Sequence, residues 1–69
     1  VVIANQNTLR ADECNSNCSN LPSAYWYYVF TIQGSDTGYA GQLAMQMTGG
    51  NAVYYRAKDN GTWSSWRSL

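Results

Sequence analysis

Few side chains in this sequence are suited to catalysis. The chain of 69 residues has no histidine, so it cannot form a Ser-His-Asp triad or a Cys-His pair by itself. Its acidic residues are Asp12, Glu13, Asp36 and Asp59. The first two are adjacent and point apart on most backbones, and the other two stand in turn sequences, where Asp has a structural role. We predict that the protein is not an enzyme and has no catalytic residue; a polysaccharide hydrolase would need acids from different subunits.

Two cysteines, Cys14 and Cys18, lie in a segment rich in Asn and Ser, which is typical of a loop. They have three interpretations: a local disulfide, two free thiols or a metal site. A metal centre without histidine would need further thiolates or carboxylates, and only Asp12 and Glu13 are near in sequence. The neutral, polar composition is typical of extracellular modules, where disulfides form. We therefore predict a Cys14–Cys18 disulfide, with free thiols as the alternative, and neither a metal nor a cofactor.

Aromatic residues are the informative group. Three tryptophans, six tyrosines and one phenylalanine exceed what one small core can hide. Exposed rings stack on the C–H faces of sugars, while amide, carboxylate and guanidinium groups bind sugar hydroxyls. The alternative is that these rings pack at a homo-oligomer interface, and Arg56 has two further options, pairing with Asp59 or stacking on a ring. The predicted ligand-binding residues are Asp36, Tyr39, Arg56, Asp59, Asn60 and Trp66.

The charge balance excludes several classes of partner. Four Lys and Arg residues are matched by four Asp and Glu residues, so the formal net charge is zero. A surface that follows nucleic-acid phosphates needs clustered cations, and we expect no nucleic-acid partner. No apolar run approaches the roughly 18 residues of a spanning helix, so we also expect no membrane insertion. The chain begins without Met, which suggests a piece of a longer polypeptide.

The length predicts one small domain, residues 1–69, that needs additional stabilisation to fold. Pro22 separates a loop-rich N-terminal part, 1–24, from a part with strong strand signals, 25–69. In the first part, Asn7 or Thr8 could cap a helix, and we expect at most one short helical turn before the cysteines.

The second part contains four extended segments. They are the aromatic run 25–32, the alternating segment 41–48, the segment 52–58 and the tail 62–69, joined by Gly- and Asn-containing turns. This spacing predicts a mainly β fold, a small antiparallel meander of about four strands. Alternation places Trp26, Tyr28, Phe30 and Ile32 on the expected core face, and Trp63 is also expected in the core. Such a sheet leaves one face and two edges open, which favours packing on partner copies.

The C-terminal stretch Tyr54–Leu69 resembles the closing signature of the pyocin-knob family, found in tail fibres of bacteriophages and of phage-tail-like bacteriocins. That pattern has an aromatic pair before Arg, a turn with Asn-Gly, then Trp-Ser-x-Trp and a final hydrophobic residue. The matching positions are Tyr55-Arg56, Asn60-Gly61, Trp63-Ser64-Ser65-Trp66 and Leu69. Gln42 in its alternating strand also fits, so the resemblance covers roughly residues 25–69. In the first third, Asn7-Thr8-Leu9 corresponds to a family segment, but a Cys-bearing loop replaces the expected glycine.

The resemblance implies a small trimeric β-module near the receptor-binding tip of a fibre. We therefore predict a tail-fibre receptor-binding domain, extracellular and part of the virion. Its expected partners are a bacterial surface polysaccharide or lipopolysaccharide, two further copies in a homotrimer, and the rest of the fibre chain. The alternative is a structural module that trimerises, caps or spaces the fibre without touching the receptor.

Overall fold

The computed structural model describes residues 7–15 and 18–69, and every regular element in these ranges is a β-strand. The strands are β1 Thr8–Cys14, β2 Tyr27–Gln33, β3 Ala40–Gln46, β4 Val53–Asp59, β5 Thr62–Trp63 and β6 Arg67–Ser68. They form one sheet in the order β1-β2-β3-β4-β5, and β6 pairs with β4 as well; all pairs are antiparallel. The predicted antiparallel β-meander is confirmed. Within the described ranges, no helix could cross a membrane.

The expected helical turn near Thr8 is wrong, because this segment is the edge strand β1. It pairs with β2 over its whole length, from Thr8 opposite Gln33 to Cys14 opposite Tyr27. Backbone pairing can hold an edge strand that lacks apolar alternation. The pairing partner here is β2, whose aromatic and β-branched sequence has a high strand propensity. The expected C-terminal strand is also divided, into β5 and β6, with the first pairing near the turn and the second pairing further back along β4.

The sheet has a covered face that contains the core. Among the described residues, the buried apolar side chains are Tyr27, Val29 and Ala44, and Val29 and Ala44 are direct partners across β2 and β3. The predicted core face was therefore the wrong one. Trp26, Tyr28 and Ile32 are exposed and Phe30 is only partly buried. Alternation separates two faces of a strand, but both faces of β2 are apolar, so it could not indicate which one is covered.

The N-terminal loop and the C-terminal segment together cover this face. Leu21 and Trp66 pack against the buried cluster, as do Cys14 and Tyr54 from the sheet itself. The Trp66 indole N–H donates to the backbone carbonyl of Asn20, 46 residues earlier in the chain. The loop is held again by a hydrogen bond between the hydroxyls of Ser23 and Tyr27. The core therefore depends on contacts between the two ends of the sequence.

The opposite face of the sheet is apolar and open, and we call it the open face. Its large exposed side chains are Leu9, Tyr28, Ile32, Leu43, Met45 and Tyr55. Register places them together, since Tyr28 faces Met45 and Leu43 faces Tyr55 across neighbouring strands. Four strands of seven residues give a face of roughly 19 by 23 Å. Contiguous apolar patches of this size mark interaction surfaces.

Candidate functional site

Two connections meet at one end of the sheet and carry four of the predicted ligand-binding residues. The loop between β2 and β3 contains Asp36 and Tyr39, and Asp59 ends β4 directly before Asn60 in the turn to β5. The backbone N–H of Gly61 donates to the carbonyl of Gly38 over 2.9 Å, which joins the loop to the turn. Tyr39 is 48% exposed. The structure thus brings these four residues to one end, which we call the loop end.

The β2–β3 loop is fixed by its own hydrogen bonds. The Asp36 carboxylate accepts from the Gly38 N–H at 2.9 Å, and the Gln33 amide donates to the Tyr39 carbonyl at 3.0 Å. The backbone adds one bond between the ends of the loop, from Gly34 N–H to the Tyr39 carbonyl, and one within it, from Tyr39 N–H to the Asp36 carbonyl. Asp36 therefore acts first as a turn residue. Its bonds leave the Tyr39 ring free to contact solvent or a ligand.

The β4–β5 turn has the geometry that its sequence predicts. Asn60 has φ 50° and Gly61 has φ 87°, and two consecutive positive φ angles define the type I′ hairpin that Asn-Gly favours. Asp59 is the last residue of β4 and pairs with Thr62. Its position flanks the turn, and its side chain is exposed.

Arg56 lies further back on β4, on the covered face, and stacks on two indoles. Its guanidinium carbon is 4.4 Å from the centroid of the Trp63 ring and 4.6 Å from that of Trp66. Its Nε–H donates to Gln42 Oε1 over 2.7 Å, and Gln42 Nε2 donates to Thr31 Oγ1 over 3.0 Å. These bonds run across β4, β3 and β2 along one row of register partners. Stacking on a ring, one of the two alternatives for Arg56, is confirmed.

The other alternative, pairing with Asp59, is not observed. The two positions are three apart along β4, an odd spacing, so alternation directs their side chains to opposite faces of the sheet. In the described ranges, the ion pair is Arg10 with Asp12 at 3.4 Å, on exposed β1. Burial lowers the pKa of the Arg56 guanidinium from its ordinary value, although arginine stays charged at physiological pH. Arg56 is thus a partly desolvated cation that is balanced by aromatic faces and an amide instead of a carboxylate.

A groove opens beside Arg56, and we call it the Arg56 groove. It has a volume of about 450 Å³ and is lined by Asn20, Leu21, Arg56 and residues 63–66. Lys58 adds a second cation, with its ammonium nitrogen 5.5 Å from the centroid of the Trp63 ring. No acidic side chain lines the groove in the described part of the chain. The lining of the groove combines two indoles, two hydroxyls and the Arg56 cation, and Lys58 lies outside this lining beside Trp63.

Sequence reasoning missed part of this arrangement. Trp63 was expected in the core, yet it is only partly buried and stacks on Arg56. Trp66 was predicted to bind ligand, but it also packs on the core and holds Asn20. Gln42 was not predicted as a site residue. The strand register could have identified Gln42. The connection 47–52 sets how β3 pairs with β4, and this pairing places Gln42 opposite Arg56 on the same face.

The two cysteines are free thiols and both are partly buried. Burial raises the pKa of the Cys14 thiol to about 11, with further contributions from its hydrogen bond to the Cys18 thiol, from the charge of Cys18 and from that of Asp12. The thiols are thus neighbours, and the disulfide between them stays a prediction. Elsewhere in 7–15 and 18–69, no cluster of three or more His, Cys, Asp or Glu residues could hold a metal ion.

Comparison of the chain with protein-family models, with curated proteins and with solved structures found no match. The resemblance to the pyocin-knob family therefore remains a prediction from the sequence signature. The function has to be argued from the surfaces of this molecule.

Proposed function

We propose that this chain is a receptor-binding domain of a phage or bacteriocin tail fibre, which attaches to a glycan on the bacterial surface. The observation that carries the proposal is the Arg56 groove. Its partly exposed indoles, Trp63 and Trp66, offer apolar surface to sugar C–H groups. Arg56 and the Ser65 hydroxyl offer hydrogen bonds to sugar oxygens, whereas the Ser64 hydroxyl already donates to the Ser65 carbonyl. This is binding chemistry, and the groove is open enough for weak, reversible contact.

The loop end extends this surface. Asp59 lies three residues beyond Arg56 on the same strand, which is roughly 10 Å along the strand. Tyr39 stands exposed on a hydrogen-bonded loop beside the Asn60 turn. A polysaccharide chain that occupied the groove could therefore also contact the Tyr39 ring and the polar groups of the Asn60 turn.

The open face supports the proposed homotrimer. The described core has only Tyr27, Val29 and Ala44 fully buried, and a chain of this size rarely folds on so small a core. Covering Leu9, which is 69% exposed, and its apolar neighbours would supply the missing burial at about 25 cal/mol per Å². Three copies would also present three grooves, so weak single sites would gain avidity.

The experiment is adsorption competition together with solution mass. The purified 69-residue chain is first sized by light scattering and then mixed with cells from a host panel before phage is added. A trimer that blocks adsorption supports the proposal. Tyr39→Ala should weaken the block, whereas Tyr25→Ala should not. Tyr25 is a matched control because it is equally exposed, at 48%, and lies outside the loop end and the Arg56 groove.

A second candidate function is a structural module that trimerises, caps or spaces the fibre. The observation that favours it is the start of β1: Thr8 pairs with Gln33, so the chain enters the sheet at the loop end. In a fibre, that end would face the preceding segment, and Tyr39 would meet the shaft instead of the cell. This function predicts a trimer that never competes, and a Tyr39→Ala variant that leaves adsorption unchanged.

A further inference from the structure

The charges around the Arg56 groove are more specific than a general sugar-binding surface requires. The whole chain is neutral, with four cationic and four acidic residues. Nevertheless, Arg56 and Lys58 both lie within 5.5 Å of the Trp63 ring centroid, and no acidic residue lines the groove in the described ranges. Asp12 lines an adjoining cavity that also contacts Arg56, so the positive charge is confined to the groove itself and comes from where the fold places these residues.

The guanidinium of Arg56 is held at its Nε–H and at its planar face. Its Nε–H is used by Gln42 at 2.7 Å, and its carbon is fixed against Trp63 and Trp66. In the described part of the chain, no hydrogen bond or ion pair is made by its two terminal nitrogens. Two parallel N–H groups at the end of a planar guanidinium match the two oxygens of a carboxylate.

We propose that the Arg56 groove is a subsite for an acidic sugar. The sugar carboxylate pairs with the terminal nitrogens of Arg56, and the ring packs on the exposed parts of the two indoles. Lys58 provides longer-range attraction. This inference deepens the proposed function and rests on it for its biological setting, but the binding chemistry can be tested separately.

The test uses two polymers that differ in one group. The 69-residue chain is titrated with polygalacturonate and with the same polymer after its carboxylates have been reduced to alcohols. Trp26→Phe is used as the background, because the chain has three tryptophans and fluorescence then reports only on Trp63 and Trp66. We expect the reduced polymer to bind about tenfold more weakly or worse, since a hydrogen bond to a charged group commonly contributes that much. The difference should shrink at high salt.

Three variants locate the effect. Arg56→Lys keeps the charge but loses the paired N–H groups, and should weaken polygalacturonate binding about tenfold. Gln42→Glu keeps an acceptor for the Arg56 Nε–H, so the fold should be preserved. Its carboxylate also neutralises the guanidinium, so binding of polygalacturonate should weaken. Arg67→Gln is the matched control: Arg67 pairs with Tyr55 and so lies on the open face, where loss of the same charge should leave binding unchanged.

Equal affinity for the two polymers in the unsubstituted groove would overturn the inference, and this result does not depend on any Arg56 variant folding. A loss with Arg67→Gln as large as with Gln42→Glu would also overturn it, because both variants lower the net charge by one and binding would then follow total charge. Tighter binding to a phosphorylated mannan would overturn the carboxylate assignment. Competition with whole cells separates the two proposals: cell binding without acid preference refutes only the subsite, and acid preference without cell binding refutes only the receptor function.

Discussion

The Nε–H of Arg56 and the Oε1 of Gln42 are joined by a hydrogen bond of 2.7 Å that crosses from β4 to β3. The same Gln42 side chain continues to Thr31 on β2. One amide therefore holds a partly buried cation in place and connects three strands on the covered face. The orientation of the guanidinium against Trp63 depends on this connection, so the groove is part of the fold and not only a feature of its surface.

Loss of the Gln42 acceptor should reduce stability. Gln42→Met keeps a side chain of similar length but leaves the Arg56 Nε–H without its acceptor, and we expect a loss of about 1–2 kcal/mol in the free energy of unfolding. Gln46→Met is the control, because Gln46 donates only to the exposed Thr48 carbonyl; we expect it to cost about 0.5 kcal/mol or less. Urea unfolding measures both. Equal losses of unfolding free energy in the two variants would show that the Gln42–Arg56 bond contributes no more than the exposed bond of Gln46.

The turn between β4 and β5 gives a second prediction. Gly61 has φ 87° and open space where a Cβ would stand, so Gly61→Ala meets no clash but is strained by its backbone. We expect a loss of about 1 kcal/mol. Gly41→Ala is the matched control: it also has open space, but its φ lies outside the left-handed region. In a strand, that change should be neutral or stabilising by about 0.5 kcal/mol.

Thermal unfolding of the two glycine variants separates backbone strain from packing. A stability loss in Gly41→Ala as large as in Gly61→Ala would contradict the role assigned to the type I′ turn. The adjacent loop offers a further readout, since Gly61 N–H donates to the Gly38 carbonyl. Faster exchange of the residue 61 amide in Gly61→Ala, through local opening of the loop end, would follow from the same strain.

The parts of the fold that could be predicted depend on local chemistry. Asn60-Gly61 specifies a tight turn because few other pairs adopt two positive φ angles, and the aromatic β2 sequence specifies a strand. In an up-and-down meander, the β2–β3 and β4–β5 connections must lie at the same end. The proximity of Tyr39 and Asn60 therefore followed from the predicted topology.

The parts that could not be predicted depend on long-range contacts. Tyr27 and Tyr28 are both aromatic, and only the docking of Asn20 and Trp66 over one face decides which of them is buried. β1 was missed for a related reason: Thr8–Cys14 has little apolar alternation and is held as a strand by pairing with β2. The Arg56 groove needs the β3–β4 register as well, which no local pattern of Gln42 specifies.

Cys14 provides a prediction about alkaline pH. Its pKa is raised from 9.0 to about 11, first by burial and then by Cys18. The folded state therefore holds its proton more tightly than the unfolded chain does. The resulting stabilisation is fully present below pH 9 and is lost as the pH rises through 11. The measurement is the difference in urea midpoint between the unsubstituted chain and Cys14→Ser at pH 8 and pH 10.5, which cancels the pH effects that the two proteins share.

The same shift should slow alkylation of Cys14. Only the thiolate reacts, and at pH 8 its fraction is smaller in the folded chain than in urea. We expect iodoacetamide to label Cys14 about tenfold or more slowly in the folded, reduced chain than in the unfolded one, as followed by peptide mass. Equal rates would contradict the raised pKa. In the chain as purified, before any reduction, protection of both cysteines that is lost on adding a reductant would establish the predicted disulfide.

The open face gives the last prediction, which concerns assembly. Leu43 is exposed at the centre of this face, between Phe30 on β2 and Tyr55 on β4. In a single chain, Leu43→Lys puts a charge into solvent and should cost less than about 0.5 kcal/mol. In a homotrimer packed through this face, it would bury an unpaired ammonium group, which costs several kcal/mol and should dissociate the assembly.

Light scattering and thermal unfolding together test this prediction. The unsubstituted chain should have the mass of three copies and a Tm that rises with concentration, because association stabilises only the folded state. Leu43→Lys should give the mass of one copy and a Tm that no longer depends on concentration. Thr37→Lys, on the exposed β2–β3 loop, adds the same charge outside the open face and should leave the trimer intact. A Leu43→Lys protein that remains trimeric would place the interface elsewhere, and the open face would then need a different cover, such as another segment of the fibre chain.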